Sequence, residues 1–138
     1  MSLVECSFVC LEGWNKRGLQ NGLKYPMSAF DAATRVDSLQ RMLKKSEAQF
    51  LLVTNFTNVT YLTGFTGDDS FLLVGRSEAI LISDARYEEQ IGEECGTLKV
   101  EIRKSTEPIL DASLRLIRQN KASSLLVEGN SMTIAQYE

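Results

Sequence analysis

Two short apolar runs lie close together in the middle of the chain, and they constrain its fold more than any other feature. Residues 71–74 and 79–82 have the length and the branched or aromatic content of buried strands. The connection between them, residues 75–78, contains a glycine and is short enough for a hairpin. The sequence therefore predicts an antiparallel strand pair in this region.

Helices are predicted on both sides of this pair. Ser28 is suited to start the first helix, in which apolar residues recur along one face. These residues are Ala32, Val36, Leu39 and Leu43. Asp84 can cap a second helix, and Gly96 can end it in a left-handed conformation. A third helix begins near Pro108. Its predicted buried stripe consists of Leu110, Leu114 and Ile117.

Three further strands and one long loop complete the predicted order. The strands cover residues 50–53, 98–102 and 124–127, and the loop covers residues 55–69, with one helical turn expected at 58–62. Strands that alternate with helices indicate a mixed sheet covered by helices, with parallel pairing outside the hairpin. We therefore predict an α/β fold.

Composition argues against several classes of function. The chain has 138 residues, which suits a single domain, and a formal net charge of −3 without a basic stripe for nucleic acid. No apolar run approaches the ~20 residues that span a bilayer, so we expect a cytoplasmic protein without a membrane partner. The chain has no histidine, which disfavours catalytic triads, catalytic zinc sites and imidazole acid–base catalysis. Its three cysteines form no disulfide framework and no metal-binding pair.

The two ends of the chain are less regular than its middle. Residues 1–26 show weak periodicity and are treated as an unassigned extension, so the predicted domain covers residues 27–138. Near the other end, Asn130 or Ser131 can cap a further helix, but barely two turns remain before Glu138. Because so short a helix is marginal alone, we expect the chain to be cut from a longer protein.

Two motifs carry a resemblance to a known family. Residues 58–67 read NVTYLTGFTG, between the apolar runs at 51–53 and 71–74, and residues 81–87 read LISDARY. In order and spacing, both segments closely resemble the amino-terminal domain of the creatinase/prolidase superfamily. The resemblance extends less sharply from Arg35 to residues 127–129, about two thirds of the chain.

The resemblance implies a ribonuclease H-like α/β domain, with a mixed sheet and flanking helices, that precedes a pita-bread catalytic domain in a two-domain parent. In the family, that second domain holds two divalent metals, usually manganese, cobalt or zinc, through aspartates, glutamates and one histidine. No residue of this chain matches those ligand motifs. The resemblance therefore implies a fragment that has no catalytic, cofactor-binding or metal-binding residues of its own.

The implied function is that of the non-catalytic amino-terminal domain of a metal-dependent Xaa-Pro peptidase, of the aminopeptidase P or prolidase type, which contributes to dimer assembly and active-site access. Its implied partners are the catalytic domain and a second subunit, and the parent's implied substrates are proline-containing peptides. Two alternatives stay open. The chain can be a stand-alone or pseudo-enzyme module for binding or scaffolding, or the amino-terminal domain of a creatinase-type amidinohydrolase.

The candidate site follows from the loop in the first motif. The two glycines of this loop, Gly64 and Gly67, favour a tight turn. Phe65, Asp68 and Asp69 are therefore predicted at a loop tip, where binding residues are common. In family members whose dimers share active sites, residues of this domain approach the neighbouring subunit's pocket, and this loop resembles the contributor. Arg86, in the second motif, is the fourth candidate for substrate access or dimer contact.

The same residues also have simpler structural interpretations. The two glycines can serve turn geometry alone, and Tyr61 and Leu62 can be core residues of a short helix. Asp84 and Arg86 can form a helix cap with an exposed ion pair, which contributes less than about 1 kcal/mol. The acidic run of the second helix is expected to be solvated rather than metal-binding. It comprises Glu88, Glu89, Glu93 and Glu94.

Overall fold

The computed structural model describes residues 29–133 as five helical segments around a five-stranded sheet. The elements in chain order are α1 Ala29–Lys45, β1 Phe50–Val53, α2 Phe56–Thr63, β2 Phe71–Gly75, β3 Ala79–Asp84, a 3₁₀ turn Ala85–Tyr87, α3 Glu88–Glu94, β4 Lys99–Arg103, α4 Ile109–Gln119 and β5 Leu125–Val127. The predicted extension at 1–26, the start signal at Ser28 and residues 134–138 of the predicted last helix lie outside the described residues.

The sheet has the strand order β4-β3-β2-β1-β5. The predicted hairpin is confirmed, since β2 and β3 pair antiparallel around a turn closed by the Gly75 amide, which donates to the Glu78 carbonyl. Parallel pairing outside the hairpin holds for β3 with β4 and for β1 with β5. It is wrong for β1 and β2, which pair antiparallel with Val53 opposite Leu72. The chain between them begins and ends at the same end of the sheet, so that it acts as a widened hairpin loop.

The central strands are buried on both faces, which explains why they read as continuous apolar runs. Alternate residues point to opposite sides, so Leu52 and Leu73 pack on one face, against α4. Leu51 and Leu72 pack on the other face, against α1, α2 and α3. Burying each leucine fully contributes about 1.5–3 kcal/mol. The mixed sheet with helices on both faces is the predicted α/β arrangement.

The first helix packs as its spacing predicts. Ala32, Leu39 and Leu43 are buried, and Val36 is half-buried against the same cluster. The strand predicted at 50–53 coincides with β1, and the predictions for β4 and β5 are each displaced by about one residue. Continuous or alternating apolar residues therefore locate the elements well in this chain.

Two details of the later helices differ from prediction. In α4 the buried stripe is Ala112, Ser113, Leu116 and Ile117, whereas Leu110 and Leu114 pack against the same cluster but are only half-buried. The second predicted helix starts as a 3₁₀ turn and ends at Glu94, and Gly96 does not adopt a left-handed conformation. The chain turns instead through a hydrogen bond from the Leu98 amide to the Cys95 carbonyl, which requires no positive φ.

Candidate functional site

The loop at residues 64–69 begins at a helix with well-formed ends. Asn55 caps the start of α2 by accepting a hydrogen bond from the Asn58 amide at 3.3 Å. Gly64 ends the helix with φ 80°, and its amide donates to the Thr60 carbonyl at 2.8 Å. A left-handed residue at this position favours glycine. These caps extend the predicted single turn to the eight residues of α2.

The two α2 residues interpreted as core lie in different environments. Leu62 is buried in the cluster beneath α1, as predicted. Tyr61 is 42% exposed, so its assignment to the core is wrong. Its ring lies under the guanidinium of Arg35, 4.1 Å from the ring centroid, and Arg35 also donates to the Tyr61 carbonyl at 2.9 Å. Tyr61 therefore connects the two helices at the surface.

Phe65 lies inside the protein rather than at the loop tip. Its side chain is fully buried, and its ring meets that of Tyr87 edge to face at a centroid distance of 5.7 Å. Gly67 passes so close that a Cβ built on it would lie 2.3 Å from Phe65 Cζ. The prediction that Phe65 projects from the sheet is therefore wrong, because burying an aromatic ring outweighs the polar composition around it.

The next residue of the loop is held by α3. Glu94 accepts hydrogen bonds from both the amide and the hydroxyl of Thr66, each at 2.8 Å, and Gln90 donates to the same carboxylate. Burial acts to raise the pKa of Glu94, but these hydrogen bonds outweigh it and the net shift is downward. The three other glutamates of the acidic run, Glu88, Glu89 and Glu93, are exposed as predicted.

Asp68 and Asp69 are exposed, as Thr66 is, and both carboxylates have partners. The Tyr87 hydroxyl donates to Asp68, and this contact raises the pKa of the Tyr87 phenol. Asp69 has φ 53°, in the left-handed region. One of its oxygens accepts from Arg86 Nη2 at 3.2 Å and from Arg103 Nη2 at 2.7 Å. The loop tip is thus fixed to the segment that follows β3 and to the end of β4.

Asp84 lies at the centre of this charged network. Its carboxylate accepts from the Arg86 amide at 2.9 Å, which is the predicted cap, and from the guanidinium nitrogens Nε and Nη2 of the same residue. Arg103 Nη2 adds a bond at 3.1 Å. The hydrogen bonds from the Arg86 guanidinium hold the pKa of Asp84 below its usual range and raise the pKa of Arg86. The predicted surface pair is thus part of a four-residue network of two aspartates and two arginines.

The structure therefore brings together three of the four predicted site residues, Asp68, Asp69 and Arg86, and places Phe65 beneath them. The fourth member of the network, Arg103, was not predicted from the sequence. Its side chain is only 12% exposed, and it contacts both Asp69 and Asp84. The predicted strands did contain a signal for the contact between Asp84 and Arg103. Parallel pairing of two strands that end at Asp84 and Arg103 sets these residues side by side, as the register shows.

The match to a family model is consistent with this architecture. The model of the creatinase/prolidase N-terminal domain matches residues 35–138, well over half of the chain. The chain belongs to the creatinase/prolidase N-terminal domain family. The resemblance carried by residues 58–67 and 81–87 is thereby confirmed.

Solved structures of similar domains share the fold. The N-terminal domain of the cytoplasmic peptidase PepQ from Mycobacterium tuberculosis H37Rv is 25% identical, with a TM-score of 0.69 over 75% of this chain and 79% of that one. An Xaa-Pro aminopeptidase structure from Streptococcus pyogenes is 24% identical, with a TM-score of 0.70 over 80% and 82% of the two chains. An Xaa-Pro dipeptidase from Bacillus anthracis is 22% identical, with a TM-score of 0.69 over 77% of this chain and 29% of that one.

One similar sequence belongs to a longer protein. The uncharacterized peptidase YqhT of Bacillus subtilis (strain 168) is 27% identical over 103 residues, which is 75% of this chain. The matched part makes up only 29% of YqhT. The creatinase/prolidase domain described here thus spans less than a third of that relative.

A second carboxylate organises the other end of α2 in this creatinase/prolidase domain. Glu128, directly after β5, accepts the amides of Thr54 at 2.7 Å and Asn55 at 2.8 Å, and it also accepts from the Asn58 side chain. The Ser131 hydroxyl approaches the same carboxylate at 3.2 Å. Residues 127–129 were the limit of the sequence resemblance, and this contact gives Glu128 a structural role that sequence reasoning missed.

The carboxylates of this domain do not fit the metals that the family implies. Within residues 29–133, no three side chains of His, Cys, Asp or Glu form a group that could hold a metal ion. Asp69 and Asp84 are each bound by two guanidiniums, which disfavour a cation beside them. Over the same residues, no helix is long and apolar enough to cross a membrane.

Proposed function

We propose that this chain is the non-catalytic amino-terminal domain of a metal-dependent Xaa-Pro peptidase of the aminopeptidase P or prolidase type. The observation that carries the proposal is the family match over residues 35–138, in a chain that spans 29% of the Bacillus anthracis dipeptidase with the same fold. Bond cleavage then belongs to the remaining, catalytic part of the parent. Two divalent metals would be held there and would activate a water molecule for attack on the scissile carbonyl.

The loop at 64–69 is the surface through which this domain acts in the proposal. Phe65 anchors the loop in the core, while Thr66, Asp68 and Asp69 are each bound by a side chain from the segment after β3 or from β4. A loop held at successive residues loses little conformational entropy when it meets a partner. Asp68 and Asp69 of the loop and the neighbouring Arg86 are exposed charged groups at this surface, and they would line the entrance to the partner subunit's active site in a homodimer.

The activity is tested on the parent protein and on this chain side by side. We expect the reading frame to continue into a domain with the family's Asp, Glu and His ligands. The purified parent should release the residue before proline from an Xaa-Pro peptide with added Mn²⁺, and the 138-residue chain should release none. A stop codon directly after Glu138, or turnover proportional to the amount of the pure chain, would contradict the proposal and favour a stand-alone module.

The role of the loop is tested by Asp68→Asn in the parent. The amide oxygen can still accept from Tyr87, so the fold should persist while the charge at the entrance is lost. We expect KM for the peptide to rise about threefold or more, about 0.7 kcal/mol, with an unchanged melting temperature. Asp37→Asn, on the exposed face of α1, is the matched control. Equal kinetics for both variants would remove the loop from the access pathway.

The proposal includes a cytoplasmic location and a homodimeric parent. The Mycobacterium tuberculosis relative is named as a cytoplasmic peptidase, which supports the first of these expectations. Cell fractionation of the source organism, with a cytoplasmic marker enzyme as reference, tests the location. Sedimentation of the purified parent tests the dimer, and a monomer with full activity would contradict a shared active site.

A further inference from the structure

β4 is an edge strand whose two faces differ in polarity. In the part of the chain that the structure describes, it pairs only with β3, so the donors and acceptors on its outer side can bind a further strand. Val100 and Ile102 point to the face of α3 and are half-buried against the core cluster. The alternate residues of β4 are charged and point to the opposite face. They are Lys99, Glu101 and Arg103.

The apolar face of β4 borders a groove of about 170 Å³ beside α3. Leu98, Val100 and Ile102 line it from the strand side. On the helix side, a Cβ added to Gly92 would meet nothing within 4 Å. The groove therefore has room for large apolar side chains, and a strand added to β4 would direct every second residue into it.

A segment near the start of the chain has the pattern that this edge needs. Residues 3–11, which lie outside the described residues, read LVECSFVCL. The even-numbered side chains are apolar, since cysteine behaves as a small hydrophobe, and an extended backbone would direct them to one face. They are Val4, Cys6, Phe8 and Cys10. The middle of the other face carries Glu5 and Ser7, so the segment has one apolar and one more polar face, as β4 does.

The other edge of the sheet is a poorer match for this segment. Among the described residues, β5 pairs only with β1. Leu126 packs against one core cluster, while Leu125 and Val127 pack against the cluster on the opposite face. A strand beside β5 would therefore need apolar residues on both faces, and Glu5 and Ser7 do not provide them.

The start of α1 lies close enough to β4 for the segment to reach it. Ala32 and Ala33 of α1 line a neighbouring groove together with Leu98 and Lys99, at the start of β4. A strand antiparallel to β4 would end beside Lys99, on the side where α1 begins. Residues 12–28 would then connect it to α1, and each of these 17 residues can span up to about 3.3–3.6 Å.

We propose that residues 3–11 of this chain add to β4 as a sixth, antiparallel strand and fill the groove between α3 and β4 with their even-numbered side chains. Phe8 would enter the space beside Gly92 and cover Val100 and Ile102. The residues that recognise the segment are thus the outer backbone of β4 and the apolar wall of the groove. This strand would close the domain's own edge, whether or not the parent is a peptidase.

Amide hydrogen exchange of the ¹⁵N-labelled 138-residue chain, in a reducing buffer, tests the proposal. Phe8→Asp places a charge in the groove, and Ser2→Asp, just outside the segment, is the control with the same change of charge. In Phe8→Asp the outward amides of β4 should exchange at least about tenfold faster, about 1.4 kcal/mol. The amides of β2 and β3 should stay protected, which shows that the fold persists. Outward β4 amides that are unprotected in the parent sequence, or equal exchange in the two variants, would overturn the proposal.

Gly92→Leu tests the groove from the helix side. Its side chain enters the open space, and leucine forms helix better than glycine. The helix α3 should therefore remain while Phe8 is displaced, and the outward β4 amides should again exchange at least about tenfold faster. Lys44→Leu, on the exposed end of α1, is the matched control and should leave them unchanged. Unchanged exchange in Gly92→Leu, or β4 protection that rises with protein concentration and so assigns the edge to a second copy, would refute the proposed occupant.

Discussion

The ring of Phe65 occupies the space that a side chain at residue 67 would need. A Cβ on Gly67 would lie 2.3 Å from Phe65 Cζ and 3.0 Å from the Tyr87 ring. The glycine is therefore required by the close approach of a buried ring, and it has no positive φ that would require glycine for the backbone. In this way the loop sequence and the core beneath it depend on each other.

Gly67→Ala should destabilise the domain by about 1–3 kcal/mol, because the methyl group forces the Phe65 ring from its site. The measurement is the free energy of unfolding in urea. Gly92→Ala is the control, since its Cβ meets nothing within 4 Å and alanine should stabilise α3 by up to about 1 kcal/mol. If both alanines have the same effect, the steric explanation is wrong.

Phe65→Leu should relieve the clash that Gly67→Ala creates. Alone, the leucine leaves a gap in the core and destabilises the domain, whereas the double variant should lose less than the sum of the two single variants. The coupling is expected to be about 0.5–3 kcal/mol in a double-mutant cycle. Strict additivity would show that the two residues do not share one space.

Asp84 should make the domain sensitive to acid. Hydrogen bonds from Arg86 lower the pKa of Asp84 in the folded state, so the folded protein binds this proton less readily than the unfolded chain does. The contribution is complete above the ordinary aspartate range, near pH 4, and is lost as the pH falls through the lower folded value. Asp84→Asn should therefore reduce stability at pH 7 and flatten its fall below about pH 4.

Urea unfolding across this pH range measures the effect. Asp37→Asn, on the exposed side of α1, is the control that changes the same net charge without touching the network. An acid limb that keeps its slope in Asp84→Asn would assign the pH dependence to other carboxylates.

Tyr87 should titrate later than an ordinary tyrosine, because the contact with Asp68 raises the pKa of its phenol. Asp68→Ala removes both the acceptor and the negative charge beside the hydroxyl, so the pKa of Tyr87 should move back towards its ordinary value near 10. Ultraviolet absorbance of the phenolate against pH measures the shift, with Tyr87→Phe identifying the signal. A Tyr87 titration that is identical with and without Asp68 would show that the contact is not made in solution.

Glu128→Ala should destabilise the start of α2 by about 1–3 kcal/mol, because the amides of Thr54 and Asn55 lose a charged acceptor. Amide hydrogen exchange should rise first at residues 54–58. Glu93→Ala on exposed α3 is the control and should stay within about 0.5 kcal/mol of the parent sequence. Uniform exchange rates across α2 would contradict this anchoring role.

The strands could be predicted from the sequence because their local pattern and their burial agree. β1 coincides with the predicted range, and the hairpin at residues 71–84 was recognised from two apolar runs and a short connection. The antiparallel pairing of β1 with β2 could not be predicted in this way. The pairing depends on where the 17 residues between the two strands return to the sheet, and neither apolar run contains that information.

The site was predicted less completely, for a related reason. Loop composition placed Phe65 outside, yet its burial is decided by the space that Gly67 leaves and by the ring of Tyr87. Arg103 is distant in sequence from Asp69 and becomes its partner only through the parallel register of β3 and β4. Contacts of this kind are set by tertiary geometry, and local patterns do not contain them.

Both faces of the central strands are apolar, and this has a consequence for strand alignment. In a sheet with one solvent-exposed face, a shift of the strand register by one residue would expose apolar side chains and bury polar ones. The cost of that exchange alone would prevent the shift. That safeguard is absent from the middle of β2 and β3, where Leu72 and Leu73 are equally buried. The alignment of β3 with β4 is instead marked at its end, where a slip would part Asp84 from Arg103. The network of two aspartates and two arginines beside the loop thus also helps to fix the register of these strands.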